Sequence, residues 1–331
     1  MRVVITSFAA RCLDNWIPLA HEIRAQGDLC DIALFPRVSD PSNQSLLHFR
    51  EYILFNEPIG ADFGFISNNG ELTKLCKKLS DYDLILLASC IAGPELMIRK
   101  ELRRQSSQAK IIGLQHGFYQ LWDTYAKHWE SFDFFGVFGQ AFVERFPKPI
   151  QERVIPLGLP KLDLIKPTLR MNAKTILFCL QTTTPLEVIM LIARELTQEG
   201  FQIIFRGHPE FPEQYSYLRS AGFSFVDPGS TLLESLQNVG YVVTTGSTVV
   251  LEALQLGLPV AVIPEQAGSE YKPFKIVTES STGAAIINVL RNYNDEKFRQ
   301  HLHWQLQQHS GPATGRSLHA YTALKQILYN K

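Results

Sequence analysis

Three short clusters in this sequence set polar and titratable side chains beside glycine at the ends of apolar runs. The first is FRGHPEF (205–211), which closes the run FQIIFRG. Arg206 and His208 bring a guanidinium and an imidazole together, a pair suited to an anion such as phosphate. Gly207 lets a ligand come close to the backbone. Pro209 disfavours a helical conformation at His208 and so keeps the chain extended as it leaves the run. The plainer alternative is a strand-end histidine in a surface loop.

The second cluster lies in VVTTGSTVVLEALQLGLPVAVIP (242–264). Gly246, Ser247 and Thr248 stand where an apolar strand passes directly into a helix. Free N–H groups in a first helical turn, aligned with the helix dipole, attract anions, and either hydroxyl adds a donor. Glu252 falls four residues after Thr248, on the same helix face, where its carboxylate could take the ribose hydroxyls of a nucleotide. Against this stands ordinary capping by Ser247, with Glu252 as an acid favouring the dipole.

The third cluster is IIGLQHGFY (111–119), with Gln115, His116 and Gly117 after another buried strand. A neutral imidazole near pH 7 is a natural general base; a histidine that merely caps the strand end is an equal alternative. Thr182 and Thr183, in QTTTP (181–185), could donate to a phosphate, although helix capping competes for them.

Other polar features point to less. The basic stretch RKELRR (99–104) could face an anionic lipid or glycan, but a solvated helix face is the better reading. GLPKLD (158–163) reads as a linker turn. His301, His303 and His309 sit in a tail helix. DYD (81–83) precedes a strand rather than following one, so no carboxylate pair is placed to hold a divalent ion at a phosphate. No metal site is expected. The chain contains no GxSxG, no Walker A loop and no GxGxxG.

The elements that must position these clusters are read from periodicity. Short apolar runs such as LILLAS (84–89), KIIGLQHG (110–117), TILFCLQ (175–181) and YVVTT (241–245) alternate with amphipathic stretches. That rhythm predicts parallel sheets covered by helices on both faces. Residues 40–80 are less regular and read as helical, and the tail from about 292 is helical. With 331 residues, two domains are the natural division. The expected domains are 1–165 and 170–290, with helices of 291–331 packing back on the first. In such sheets ligands bind beyond the carboxyl ends of the strands, and two domains facing each other would share a cleft.

Composition narrows the function. Lys plus Arg and Asp plus Glu are both 32, so no field favours a polyanion and nucleic acid is not an expected partner. The start MRVVITSFAA makes a poor signal peptide, and no run approaches the ~20 apolar residues of a membrane span. The five cysteines lack CxxC spacing and read as reduced, core-filling thiols. A cytoplasmic protein is expected, working there or at the inner face of the membrane through peripheral contact.

Taken in order, QHG (115–117), PLGLPKLD (156–163), RGHPEF (206–211) and TTGSTVVLEALQLGLPVAVIP (244–264) resemble bacterial transferases of the α/β GT-B fold. The nearest likeness is to the capsule polysaccharide and CDP-glycerol glycerophosphotransferase-like group. The His-Pro and Ser-Thr pairs also resemble those of GT-B sialyl and Kdo transferases. The resemblance spans about residues 110–265. It implies that Arg206, His208, Pro209, Gly246, Ser247, Thr248 and Glu252 hold the donor nucleotide and its phosphates. His116 would be the catalytic base, with Gln115, Gly117, Thr182 and Thr183 near donor or acceptor. No acidic-acidic-glycine motif of the sialyltransferase kind is present, which leaves the base role to His116.

The expectation is therefore a metal-independent glycosyltransferase with no cofactor. Its donor would be a nucleotide-activated sugar or polyol, of CMP or CDP type rather than UDP. Its acceptor would be a glycan or lipid-linked glycan of a bacterial cell-surface polysaccharide. Two alternatives accompany it: a sugar-nucleotide 2-epimerase or hydrolase on the same fold, and a non-catalytic GT-B-like binding protein.

Overall fold

The computed structural model describes residues 1–7, 10–34, 53–56, 69–88, 93–117, 132–166, 174–181, 185–208, 215–227 and 229–329. The chain forms two compact units. One comprises Met1–Leu164 with Gln307–Lys331, and the other Ile165–Leu306.

The first unit is built on a seven-stranded sheet in the order β3-β2-β1-β4-β5-β6-β7. Its strands are β1 (Arg2–Ser7), β2 (Leu29–Leu34), β3 (Ile53–Asn56), β4 (Leu84–Leu87), β5 (Lys110–Leu114), β6 (Phe134–Val137) and β7 (Val154–Pro156). Every pairing is parallel. The helices that matter below are α1 (Ala10–Asp14), α2 (Ile17–Ala25), α3 (Asn69–Leu79), α4 (Gly93–Arg104) and α5 (Gln140–Val143). The second unit carries a five-stranded parallel sheet, β10-β9-β8-β11-β12. Its strands are β8 (Thr175–Cys179), β9 (Gln202–Arg206), β10 (Ser224–Phe225), β11 (Tyr241–Thr244) and β12 (Val260–Val262). Its helices are α6 (Leu186–Gln198), α7 (Ser216–Ser220), α8 (Leu232–Gln237), α9 (Val249–Gln255) and α10 (Gly283–Arg291). The tail adds α11 (Glu296–Ser310) and α12 (Arg316–Tyr329).

Both sheets follow from their apolar runs. LILL in β4 and TILFC in β8 are buried at every position, which a strand shows only when both sheet faces are covered. In each sheet the strand order reverses once, between β1 and β4 and between β8 and β11. Crevices for ligands open at such reversals, beyond the carboxyl ends of the strands.

Three expectations are corrected here. Within the stretch read as helical, 53–56 is a strand at the sheet edge. Three apolar residues and an asparagine do not distinguish a strand from a helical turn by periodicity. The tail does not pack on the first unit as one piece. Residues up to 306 belong to the second unit, where the Tyr293 hydroxyl bonds both the N–H (2.9 Å) and the carbonyl (3.1 Å) of Val260. His301 Nε2 likewise lies 2.7 Å from the Pro273 carbonyl.

From 307 onward the chain belongs to the first unit, and GLPKLD, read as a linker turn, is what fastens it there. The Asp163 carboxylate accepts from the backbone N–H of Arg316 (3.0 Å) and Ser317 (2.7 Å), and from the Ser317 hydroxyl (2.8 Å). It thus caps the start of α12. Beside it Gly158 and Gly311 both hold left-handed φ values, and a Cβ on Gly311 would stand 2.8 Å from the Gly158 Cα. The guanidinium of Arg316, fully buried, donates to the carbonyls of Ser310 and Ala313, each at 3.0 Å.

The basic face of α4 is largely solvated, as expected: Lys100, Arg103 and Arg104 are exposed, with Arg103 paired to Asp133 at 2.8 Å and Arg104 to Glu101 at 2.7 Å. Arg99 alone departs from this, buried against the Phe132 ring. No helix among the described residues is long and apolar enough to cross a membrane.

Cys12, Cys30, Cys76 and Cys179 are buried free thiols, and Cys90 lies outside the described residues. Burial pushes the thiols of Cys30, Cys76 and Cys179 up to about 12. All three should therefore resist iodoacetamide at pH 8 in the native protein and react fully in guanidinium, because the thiolate is the reactive form. Peptide mapping by mass spectrometry reads this directly; rapid native alkylation of Cys179 would show that the edge of β8 is open to solvent.

Candidate functional site

In the second unit, the ends of β8, β9 and β11 bring two of the sequence clusters together. Cys179 pairs in register with Arg206 on one side and with Thr244 on the other. Cys179, Arg206 and Glu252 interact electrostatically, so Glu252 of α9 also belongs to this edge. Glu252 is only 3% exposed. That burial separates it from an acid that merely favours a helix dipole from the surface.

Gly246 takes φ 145°, a conformation that L side chains rarely adopt, as the chain turns from β11 toward α9. The Ser247 hydroxyl accepts from the Val249 N–H at 3.4 Å, a long contact. Thr248, the residue before α9, makes no side-chain capping bond. Capping therefore leaves the Thr248 hydroxyl uncommitted, while Ser247 is partly engaged. His208 is half-buried just beyond β9.

Arg206 is placed differently from the sequence expectation. Its Nη1 donates to the Ser230 carbonyl (3.1 Å) and the Ser235 hydroxyl (2.7 Å). It thereby ties the end of β9 to the start of α8, where Thr231 and Glu234 form a capping box. Burial lowers its pKa, opposed by Cys179, Glu252 and Glu234. This edge of the guanidinium braces the strand end. Pro209, Thr182 and Thr183 lie outside the described residues.

In the first unit, the ends of β1, β4 and β5 carry the other cluster. Gln115 is fully buried and both ends of its amide are engaged within the fold. Its Oε1 accepts from the Phe138 N–H at 2.9 Å, and its Nε2 donates to the Gly117 carbonyl at 2.9 Å. Gln115 therefore fixes the turn that presents His116. The His116 carbonyl is held by Asn15 Nδ2 at 3.1 Å, and its side chain is half-buried. Gly117 follows at the strand exit.

A carboxylate that sequence reading passed over stands at the strand reversal of the same sheet. Glu95, in the first turn of α4, is fully buried and accepts from the Thr6 hydroxyl at 2.7 Å at the end of β1. An acid after Gly-Pro at a helix start looks like a dipole acid. The signal that could have found it is its position one turn past the apolar strand LILLAS. Among the described residues no group of three or more His, Cys, Asp or Glu could hold a metal ion.

A cavity of about 540 Å³ also opens in the second unit, lined by Phe201, Tyr241, Pro259 and Arg291 among others. It lies at the amino ends of the strands, the opposite edge from His208 and Glu252, and does not belong to this site.

No protein-family model and no curated protein matches the sequence. Solved structures do match in fold. A putative UDP-N-acetylglucosamine 2-epimerase from Listeria monocytogenes superposes with TM-score 0.68 at 13% identity, covering 100% of this chain and 97% of that one. The UDP-GlcNAc 2-epimerase of Neisseria meningitidis, solved bound to UDP-GlcNAc, gives 0.66 at 13%, covering 99% and 100%. MurG of Acinetobacter baumannii gives 0.56 at 12%, covering 98% and 100%.

The fold is of the GT-B type. The narrower likeness to the capsule, glycerophosphotransferase and sialyl or Kdo transferase groups finds no support among these matches. The glycosyltransferase expectation is overturned with it, because the matched structures are described chiefly as UDP-GlcNAc 2-epimerases. Polar clusters at strand ends do not by themselves distinguish transfer to an acceptor from rearrangement of a sugar nucleotide.

Proposed function

We propose that this chain is an enzyme acting on a sugar nucleotide, of the 2-epimerase class. The observation that carries the reading is the buried carboxylate of Glu95 at the same sheet edge as His116. The chemistry that an epimerase requires differs from that of a transferase in one respect: a proton must leave and return at the sugar carbon next to the anomeric one. Inversion there can proceed without a redox partner. A base takes the C2 proton, the C1–O bond to the nucleotide breaks, and a C1–C2 double bond forms. Protonation of C2 from the opposite face and return of the nucleotide oxygen to C1 complete the exchange.

In this reading His116 and Glu95 move the proton, as positioned acid and base do. His208, Ser247 and Thr248 hold the diphosphate, whose charge grows as the C1–O bond breaks. Glu252 takes the ribose hydroxyls. The leaving group is stabilised by fixed donors, and turnover needs no divalent metal. UDP replaces CMP and CDP as the first nucleotide to test, since the Neisseria structure was solved with UDP-GlcNAc.

A thermal-shift panel of UDP, UDP-GlcNAc, CMP, CDP and GDP tests the binding half. A ligand at 100 times its dissociation constant stabilises by about 2.7 kcal/mol. UDP and UDP-GlcNAc should raise the melting temperature by several degrees while GDP does not. A flat panel would remove the sugar nucleotide from the account.

A further inference from the structure

We infer that two buried hydroxyls of the second unit, Thr245 Oγ1 and Tyr215 Oη, are phosphate-binding donors of the sugar-nucleotide site; this rests on the function proposed above. Thr245 directly follows β11 and is 0% exposed, and Tyr215 precedes α7 and is 2% exposed. Neither hydroxyl makes a hydrogen bond of normal geometry. The His208 N–H lies near enough to the phenol to oppose the rise in pKa that burial imposes. That contact uses the phenol oxygen as acceptor and leaves its proton to give. Buried hydroxyls without a partner are rare in native proteins, and each calls for an occupant that supplies one.

The register puts both on one face of the sheet. Arg206, Cys179 and Thr244 form one row across β9, β8 and β11. Gly207, Leu180 and Thr245 form the next row, with the Leu180 N–H donating to the Arg206 carbonyl at 2.9 Å. Side chains in successive rows point to opposite faces. Thr245 therefore points away from the Arg206 row, and Tyr215 covers the same side, since a Cβ on Gly207 would stand 2.9 Å from its ring. The two hydroxyls flank the carboxyl end of β8 at the strand reversal, where this fold receives its ligands. Strong acceptors without protons suit them best, and phosphate oxygens are the acceptors a sugar nucleotide brings.

Thr245→Val and Tyr215→Phe keep the shape and remove only the hydroxyls. Removing a buried hydroxyl that lacks a partner is neutral or stabilising for the empty protein. Each variant should keep or raise the melting temperature without ligand. By calorimetric titration each should weaken UDP about 10-fold, the loss of one hydrogen bond to a charged group, with uridine binding unchanged. Three outcomes overturn the inference. UDP affinity equal to wild type would mean the hydroxyls meet only water. Uridine weakened as much as UDP would put them on the nucleoside. A lower melting temperature in both empty variants, with UDP affinity intact, would make them structural. A wild-type protein that binds neither UDP nor UDP-GlcNAc overturns the proposed function, and this inference with it.

Discussion

His116→Ala should lose turnover by about 10²–10⁴-fold, the usual contribution of a positioned acid or base, while UDP affinity stays within about twofold of wild type. His116 belongs to the first unit and the proposed phosphate donors to the second, so the chemical step and nucleotide binding are carried by different residues. Glu95→Gln should behave in the same way, because the amide keeps the size of the side chain and loses the carboxylate. Initial rates beside calorimetric titration separate rate from affinity, and circular dichroism checks folding of each variant. The reverse pattern, with nucleotide binding lost and rate constants at saturation retained, would place His116 on the nucleotide. Near-normal rates in both variants would leave the first unit without a role in proton transfer.

The second large effect is on stability. Gly139→Ala should destabilise the first unit by about 3 kcal/mol, at the upper end of the range for overpacking. A Cβ there would stand 2.2 Å from the Gln308 carbonyl oxygen and 2.6 Å from the His309 carbonyl carbon. Both are backbone atoms of α11, which cannot rotate aside as a side chain would. Asp163→Ala should cost about 1–2 kcal/mol by removing the cap of α12. Urea unfolding followed by tryptophan fluorescence reads both. A Gly139→Ala midpoint equal to wild type would mean that the tail does not pack against the β6–α5 turn as described.

Much of the fold was legible because parallel strands covered on both faces must be apolar throughout. TILFC and LILL show it, and their polar exits marked the strand ends that carry His116 and His208. What was not legible depends on partners far along the chain. The bracing role of Gln115 appears only once β6 brings the Phe138 N–H to its amide oxygen. Asp163 looked like part of a linker because the helix it caps begins 153 residues later. Arg99 looked solvated because nothing local announces the Phe132 ring that covers it. Glu95 was missed because an acid in a first helical turn has an ordinary explanation, and only the fold reveals that it is buried beside Thr6. The choice between transfer and epimerisation was not legible either, since both chemistries can use polar strand ends of the same kind.

Proton NMR of UDP-GlcNAc incubated with the protein in D₂O tests the central claim most directly. The account predicts loss of the H2 signal as deuterium enters at C2, with a second set of sugar signals from the C2 epimer still attached to UDP. Release of UDP with free sugar and an unexchanged C2, or a substrate left wholly unchanged, would contradict it.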